Sequence, residues 1–237
     1  MRSMLACMGV TAILLLAPIA GQAASLRVAP TNIDLVAPDS SGTLTLRNEA
    51  KRKLNVQVRV FRWTQQRGVE RLEPTSAVVA SPPATTLSPG ANYVIRVVRV
   101  SQAPAVGEES YRVIVDELPD AAQKKSGTVS LVLRYSIPVF FRSPEASQAS
   151  VSWSVSGKGG SMVLTGRNAG DSRLRLSDLR LTQGGRKLAA RPGLVGYVLG
   201  GATMQWPIAG KLSGGSVLLS GQGDSGSIDA TVAIKGK

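Results

Sequence analysis

Side chains able to do chemistry at neutral pH are scarce in this sequence. It has no histidine and a single cysteine, Cys7. Without imidazole there is no Ser-His-Asp triad, no Cys-His dyad and no HExxH zinc site. Cys7 falls inside an apolar N-terminal stretch, so the rest of the chain offers no disulfide, zinc knuckle or thiol nucleophile. Carboxylates are the remaining acid–base candidates, in adjacent pairs such as Asp116-Glu117. Two carboxylates cleave glycosidic bonds only when they converge on one site. Neighbours on a strand point to opposite faces, so this pair cannot act together. The expectation is a protein that is not an enzyme and holds no metal or cofactor.

Charge is the other chemical resource. Lys and Arg total 28 against 15 acids, a net charge of +13. A nucleic-acid surface would need a basic stripe interleaved with aromatic side chains. Aromatics are only 4% of residues, which argues against nucleic acid. A composition of 43% hydrophobic and 18% charged residues is that of a globular chain.

The elements that must position these residues begin after an export signal. Met1 to Ala23 has a positive start at Arg2, an apolar run from Leu5 to Ala20, and Gly21-Gln22-Ala23 as small cleavage-site residues. Cleavage is expected after Ala23. A retained anchor is the less favoured reading, because a spanning helix needs about 20 apolar residues. Removal takes one Arg and no acid, leaving +12 from the +13, and no membrane insertion is expected afterwards. From there on, period two dominates. Leu54, Val56, Val58 and Val60 alternate with Asn55, Gln57, Arg59 and Phe61, Tyr111, Val113 and Val115 with Arg112, Ile114 and Asp116, and Val129, Leu131 and Leu133 with Ser130, Val132 and Arg134. Such alternation describes strands with one packed face. Ala37-Pro38-Asp39, Gln66-Arg67-Gly68 and Ser88-Pro89-Gly90 read as turns. Short strands at this spacing predict tandem β-sandwiches. A polar linker at Ser143 to Gln148 divides a first domain, 24–143, from a second, 144–237, richer in Gly and Ser. Strand-like pieces of the second include Leu174 to Leu181, Tyr197 to Leu199 and Ile228 to Ile234. Trp63, Trp153 and Trp206 are expected in cores.

Three segments together resemble a known family. They are Ala80-Ser81-Pro82-Pro83 with Leu87-Ser88-Pro89-Gly90, the run from Glu109-Ser110-Tyr111 to Asp116-Glu117-Leu118-Pro119, and Val129 to Arg142. Their order and endings are similar to those of PapD-like periplasmic chaperones of chaperone–usher pili. Within that family they look most like the archaic branch associated with Csu-type, spore-coat-U-like subunits. The resemblance implies an all-β fold of two immunoglobulin-like β-sandwich domains in tandem, boomerang-shaped with an interdomain cleft. It implies a periplasmic chaperone that lends a strand to pilus subunits and passes them to an outer-membrane usher. The basic charge would then steer toward an acidic subunit or usher. The competing reading is a pilus subunit or two-domain adhesin.

Residue roles follow only from the resemblance. Val129, Leu131 and Leu133 fall on the family's donor positions; the other reading is that they face the protein's own core. The family's carboxylate-anchoring cations are replaced here by Asn32 and Pro138. A desolvated carboxylate still needs a cation, so Arg112 is the first candidate, with Asn32 as a neutral partner and Arg134 in reserve. Arg142, Glu109 and Asp224 are expected as an interdomain ion network, with Glu108 in place of Glu109 if the alignment slips by one. The Pro82-Pro83 step is expected to include a cis bond, assigned to Pro83. The free protein is expected to self-associate over its donor edge.

Overall fold

A computed structural model describes residues 25–119, 132–158, 160–213 and 215–235. The described residues form seventeen β-strands and no helix. The first sandwich has two sheets. One runs β1 (Leu26–Ala29), β3 (Ser41–Asn48), β8 (Asn92–Arg99), β6 (Val78–Ser81). The other runs β2 (Ile33–Val36), β10 (Arg134–Arg142), β9 (Glu108–Leu118), β4 (Leu54–Gln66), β5 (Val69–Pro74), with β7 (Ala84–Leu87) also on β4. Their inner faces enclose one core that includes Leu26, Leu44, Leu54, Val56, Ile95, Tyr111, Val113 and Val139. The sequence alternation is the cause: the packed partners are the period-two residues of each strand.

Seven more strands surround a second core. Their order is β14 (Arg186–Val198), β13 (Leu174–Gln183), β16 (Val217–Gly223), β17 (Gly226–Ile234), β11 (Val151–Lys158), β12 (Ser161–Asn168), β15 (Thr203–Ala209). Trp153 and Trp206 lie in this core, with Val155, Leu164, Leu181 and Leu219. Residues 143–148, read as a linker, carry no strand.

Two local expectations need correction. Tyr197 to Leu199 is not a separate strand: Tyr197 and Val198 end the long β14, and Leu199 follows it. Within β14, Gly193 (φ 71°) sits where the β13–β14 register shifts, and its N–H donates to Asp178 Oδ1 at 2.8 Å. The chain is thus bulged and continues as strand. The cis bond near Pro82-Pro83 is Ser81–Pro82, one bond earlier than the Pro83 assignment.

Several outward-facing residues of the β4–β9–β10 sheet are also buried. On β4, Leu54, Val56 and Val58 point inward, while Trp63 and Gln65 are buried on the opposite face. On β10, Phe140 does the same. They meet Tyr197 and Leu199 in a small third core between the two sandwiches. Trp63 packs edge-on against Tyr197, with ring centroids 5.3 Å apart. Gln65 completes the joint: its Nε2 donates to Tyr197 O at 2.8 Å, and its Oε1 accepts from Leu199 N at 3.0 Å.

Candidate subunit-binding edge and cleft

β10 is fully paired on one side only. It pairs antiparallel with β9 from Arg134↔Asp116 to Arg142↔Glu108. On its other side β2 covers only Val139 to Arg142. Among the described residues, Arg134 to Pro138 therefore has no strand along one edge. An unpaired edge is a template for another strand. The odd-numbered residues Tyr135, Ile137, Val139 and Phe141 face the first core. Leu133 continues that parity and packs, partly buried, against the same core. Its carbonyl accepts from Glu117 N at 2.8 Å. Val129 and Leu131 lie outside the described residues.

The far end of this edge opens into a cavity of about 320 Å³ between the sandwiches. Its lining includes Asn32, Arg112, Pro138, Arg175, Tyr197 and Asp224. The Arg112 guanidinium lies flat over Trp63, with Cζ 3.7 Å from the ring centroid, and 5.7 Å from that of Tyr197. Stacking of this kind holds a cation without consuming its in-plane donors. One of these reaches Ser136 O at 3.4 Å. No carboxylate of the described residues forms an ion pair with Arg112. Burial pushes its pKa below the ordinary arginine value, against the pull of Glu70 and Tyr197. A half-buried cation without a counter-ion can take an anion.

Arg112 and Asn32 thus come together in one cavity, and Arg134 does not join them. Arg134 lies at the opposite end of β10, two-thirds exposed, and its cation is already held by Asp116. Its assignment as a reserve anchor is corrected for that reason: a paired guanidinium outside the cleft has no carboxylate left to seek.

The ion network between the sandwiches has a different membership from the one expected. Glu109 pairs inside the first sandwich, accepting from Arg99 Nε at 2.9 Å, Arg99 Nη2 at 2.8 Å and Tyr111 Oη at 2.9 Å. Arg142 forms no ion pair among the described residues, although it sits opposite Glu108 in the ladder. The cation that crosses is Arg173. Its Nη1 donates to Glu108 Oε2 at 2.6 Å, its Nη2 to Asp34 Oδ2 at 2.5 Å, and its backbone N–H to Glu108 Oε1 at 3.0 Å. Its guanidinium also lies 3.6 Å over the Phe140 ring. Asp224 stands at the margin, 3.8 Å from Arg173 and 3.7 Å from Arg175. Alternation explains the substitution: Glu108 and Glu109 face opposite ways. Burial raises the Glu108 pKa, and Arg173 only partly offsets it. Arg173 carried no sequence signal, because Glu108 and Asp34 lie 65 and 139 positions away from it.

No group of His, Cys, Asp and Glu among the described residues is arranged to hold a metal ion. Asp116 and Glu117 point to opposite faces and each is taken by arginine.

Residues 25–147 match the family described as pili and flagellar-assembly chaperone, PapD N-terminal domain. No curated protein matches the sequence. Among solved structures, one similar chain comes from the CsuC–CsuE chaperone–tip adhesion subunit pre-assembly complex of archaic chaperone-usher Csu pili of Acinetobacter baumannii. Its TM-score is 0.71 at 24% identity, over 90% of this chain and 100% of that one. The Salmonella enterica SafA pilin–SafB chaperone complex gives 0.62 at 18%, over 89% and 98%. The E. coli chaperone DraB gives 0.60 at 23%, over 89% and 97%. These likenesses show the fold, two immunoglobulin-like β-sandwich domains in tandem.

Proposed function

The chain belongs to the pili and flagellar-assembly chaperones with a PapD N-terminal domain, and we propose that it captures pilus subunits by adding a strand to them along β10. The observation that carries this reading is the half-covered edge of β10, which leads into a cleft holding a cation with no counter-ion among the described residues. A subunit lacking one strand pairs with that edge through backbone hydrogen bonds. Val129 and Leu131 supply side chains to its groove, Leu133 continues their parity where the strand still packs on the chain's own first core, and the subunit's C-terminal carboxylate binds Arg112 with help from Asn32. The protein works in the periplasm after loss of residues 1–23, as halves 24–143 and 144–237. It belongs to the archaic Csu-like branch, hands its subunit to an outer-membrane usher, and when free pairs its open edge with a second copy. It is not an enzyme; the salt-bridged, divergent Asp116 and Glu117 support that reading.

The test is co-expression with a small secreted pilin-like subunit. The wild-type chain keeps the subunit soluble in a one-to-one complex, and Leu131→Arg loses it. Full complex formation by Leu131→Arg would overturn the strand assignment.

A further inference from the structure

We propose that Asp116 and Glu117 set the register of β10 on β9, and through it which side chains upstream of Arg134 are offered to a partner. This rests on the strand-lending reading above. The two carboxylates sit at the end of β9, where the described part of the hairpin stops. Being adjacent on a strand, they anchor opposite faces. On the outer face Asp116 accepts from Arg59 of β4 at 2.7 Å and from Arg134 of β10. On the inner face Glu117, with its side chain 1% exposed, accepts from Arg52 at 2.9 Å and Ser25 Oγ at 3.0 Å. Its own N–H holds Leu133 O at 2.8 Å. Four segments are therefore tied to β9 at one level.

The middle of the inner face discriminates register poorly. Its rungs are Tyr135↔Val115, Ile137↔Val113 and Val139↔Tyr111. A slip of one residue would expose all of them. In that stretch a slip of two would exchange apolar neighbours and meet a carboxylate only at its ends, where Val139 would face Glu109 or Tyr135 would face Glu117. The same slip would set Asp116 opposite Val132 or Ser136 and leave a buried carboxylate short of a cation, which is costly. The charged level thus opposes, at the Arg134 end of β10, the slip that the middle rungs tolerate, while Phe140 in the third core and the pairing of Val139–Arg142 with β2 oppose it at the other end. Burial pushes the Asp116 carboxyl up, but the hydrogen bonds from Arg134 and Arg59 hold it below its ordinary value.

Cysteine pairs read the register directly, since Cys7 is the only native cysteine. Ile114→Cys with Ser136→Cys joins positions that face each other now. Ile114→Cys with Pro138→Cys, and Arg112→Cys with Ser136→Cys, report slips of two in either direction. With native carboxylates only the first pair should cross-link. In the Asp116→Asn/Glu117→Gln background the first cross-link should fall about tenfold relative to a slipped one, and pilin complex yield should fall with it. Asp116→Glu should restore both. Retention of the first cross-link alone in the double variant overturns the proposal. A slipped register with full complex yield supports the register assignment and overturns the strand-lending reading instead. If the double variant does not fold, Arg134→Gln, at an exposed residue, gives the same readout.

Discussion

Arg112 shows how one residue is prepared for an anion by what surrounds it. Trp63 and Tyr197 supply the face it stacks on, and no acid of the described residues neutralises it. On the proposed reading, Arg112→Ala should lower pilin complex yield about tenfold or more, the scale of a charge-assisted hydrogen bond in a cleft. Arg112→Lys should recover only part, because an ammonium neither stacks nor forks. Pull-down of the co-expressed subunit measures both. Glu109 makes the opposite use of a cation. The hydrogen bonds from Arg99, and then from Tyr111, outweigh burial and hold its carboxyl below its ordinary value. A lowered folded pKa gives stability that is present above the unfolded value and lost as pH falls through the folded one. Acid titration by circular dichroism should therefore show a shallower acid limb for Glu109→Gln. That variant should also lose about 3 kcal/mol at neutral pH by stranding Arg99.

At the scale of elements, the two sandwiches turn one corner in the same way. β3 ends at Asn48 and β12 at Asn168, both buried. Asn48 Nδ2 donates to Arg52 O at 2.7 Å and Leu87 O at 3.0 Å, while its Oδ1 accepts from Ala50 N at 2.9 Å. Asn168 Nδ2 donates to Ser172 O at 2.8 Å, and its Oδ1 accepts from Ser150 N and Gly170 N at 2.9 and 3.0 Å. Each amide satisfies backbone groups that the turn would otherwise bury unpaired. Asn168→Ala should cost about 2–4 kcal/mol in thermal unfolding. Strands such as β4 and β9 are legible in the sequence because one face of each is strictly apolar. Nothing in that pattern distinguishes a strand buried on its second face, as Trp63 and Phe140 require, since period two reports only the first. Asn32 was within reach because it falls on an anchor position of the resembled family, and Arg112 because a guanidinium beside the lending strand can fork a carboxylate. Arg173 was not, because it acts by touching residues on another domain. The doubled asparagine corner did leave a signal, since the eight-residue stretches ending at Asn48 and Asn168 share Ser, Leu, Thr, Arg and Asn at five positions, but the match is too short to read as a repeat.

In the whole molecule, the joint between sandwiches is small and mixed. Trp63, Phe140, Tyr197 and Leu199 fill it, Gln65 stitches one backbone to it, and Arg173 spans it to Glu108 and Asp34. Buried ion pairs specify geometry more readily than they stabilise it, so apolar contact must supply the cohesion. Tyr197→Ala should therefore loosen the angle between halves, seen as a larger radius of gyration in small-angle scattering, with both cores still folded. The stack of Arg112 on Trp63 also gives the cleft an optical signal. Trp63 is the only indole of the first sandwich, and the other two, Trp153 and Trp206, lie together in the second with centroids 6.1 Å apart. With those two replaced by Phe, emission comes from a single ring with a positive charge 3.7 Å above it. An anion arriving at Arg112 changes the field across that ring, so its colour reports occupancy of the cleft in real time, without a label and without separating bound from free.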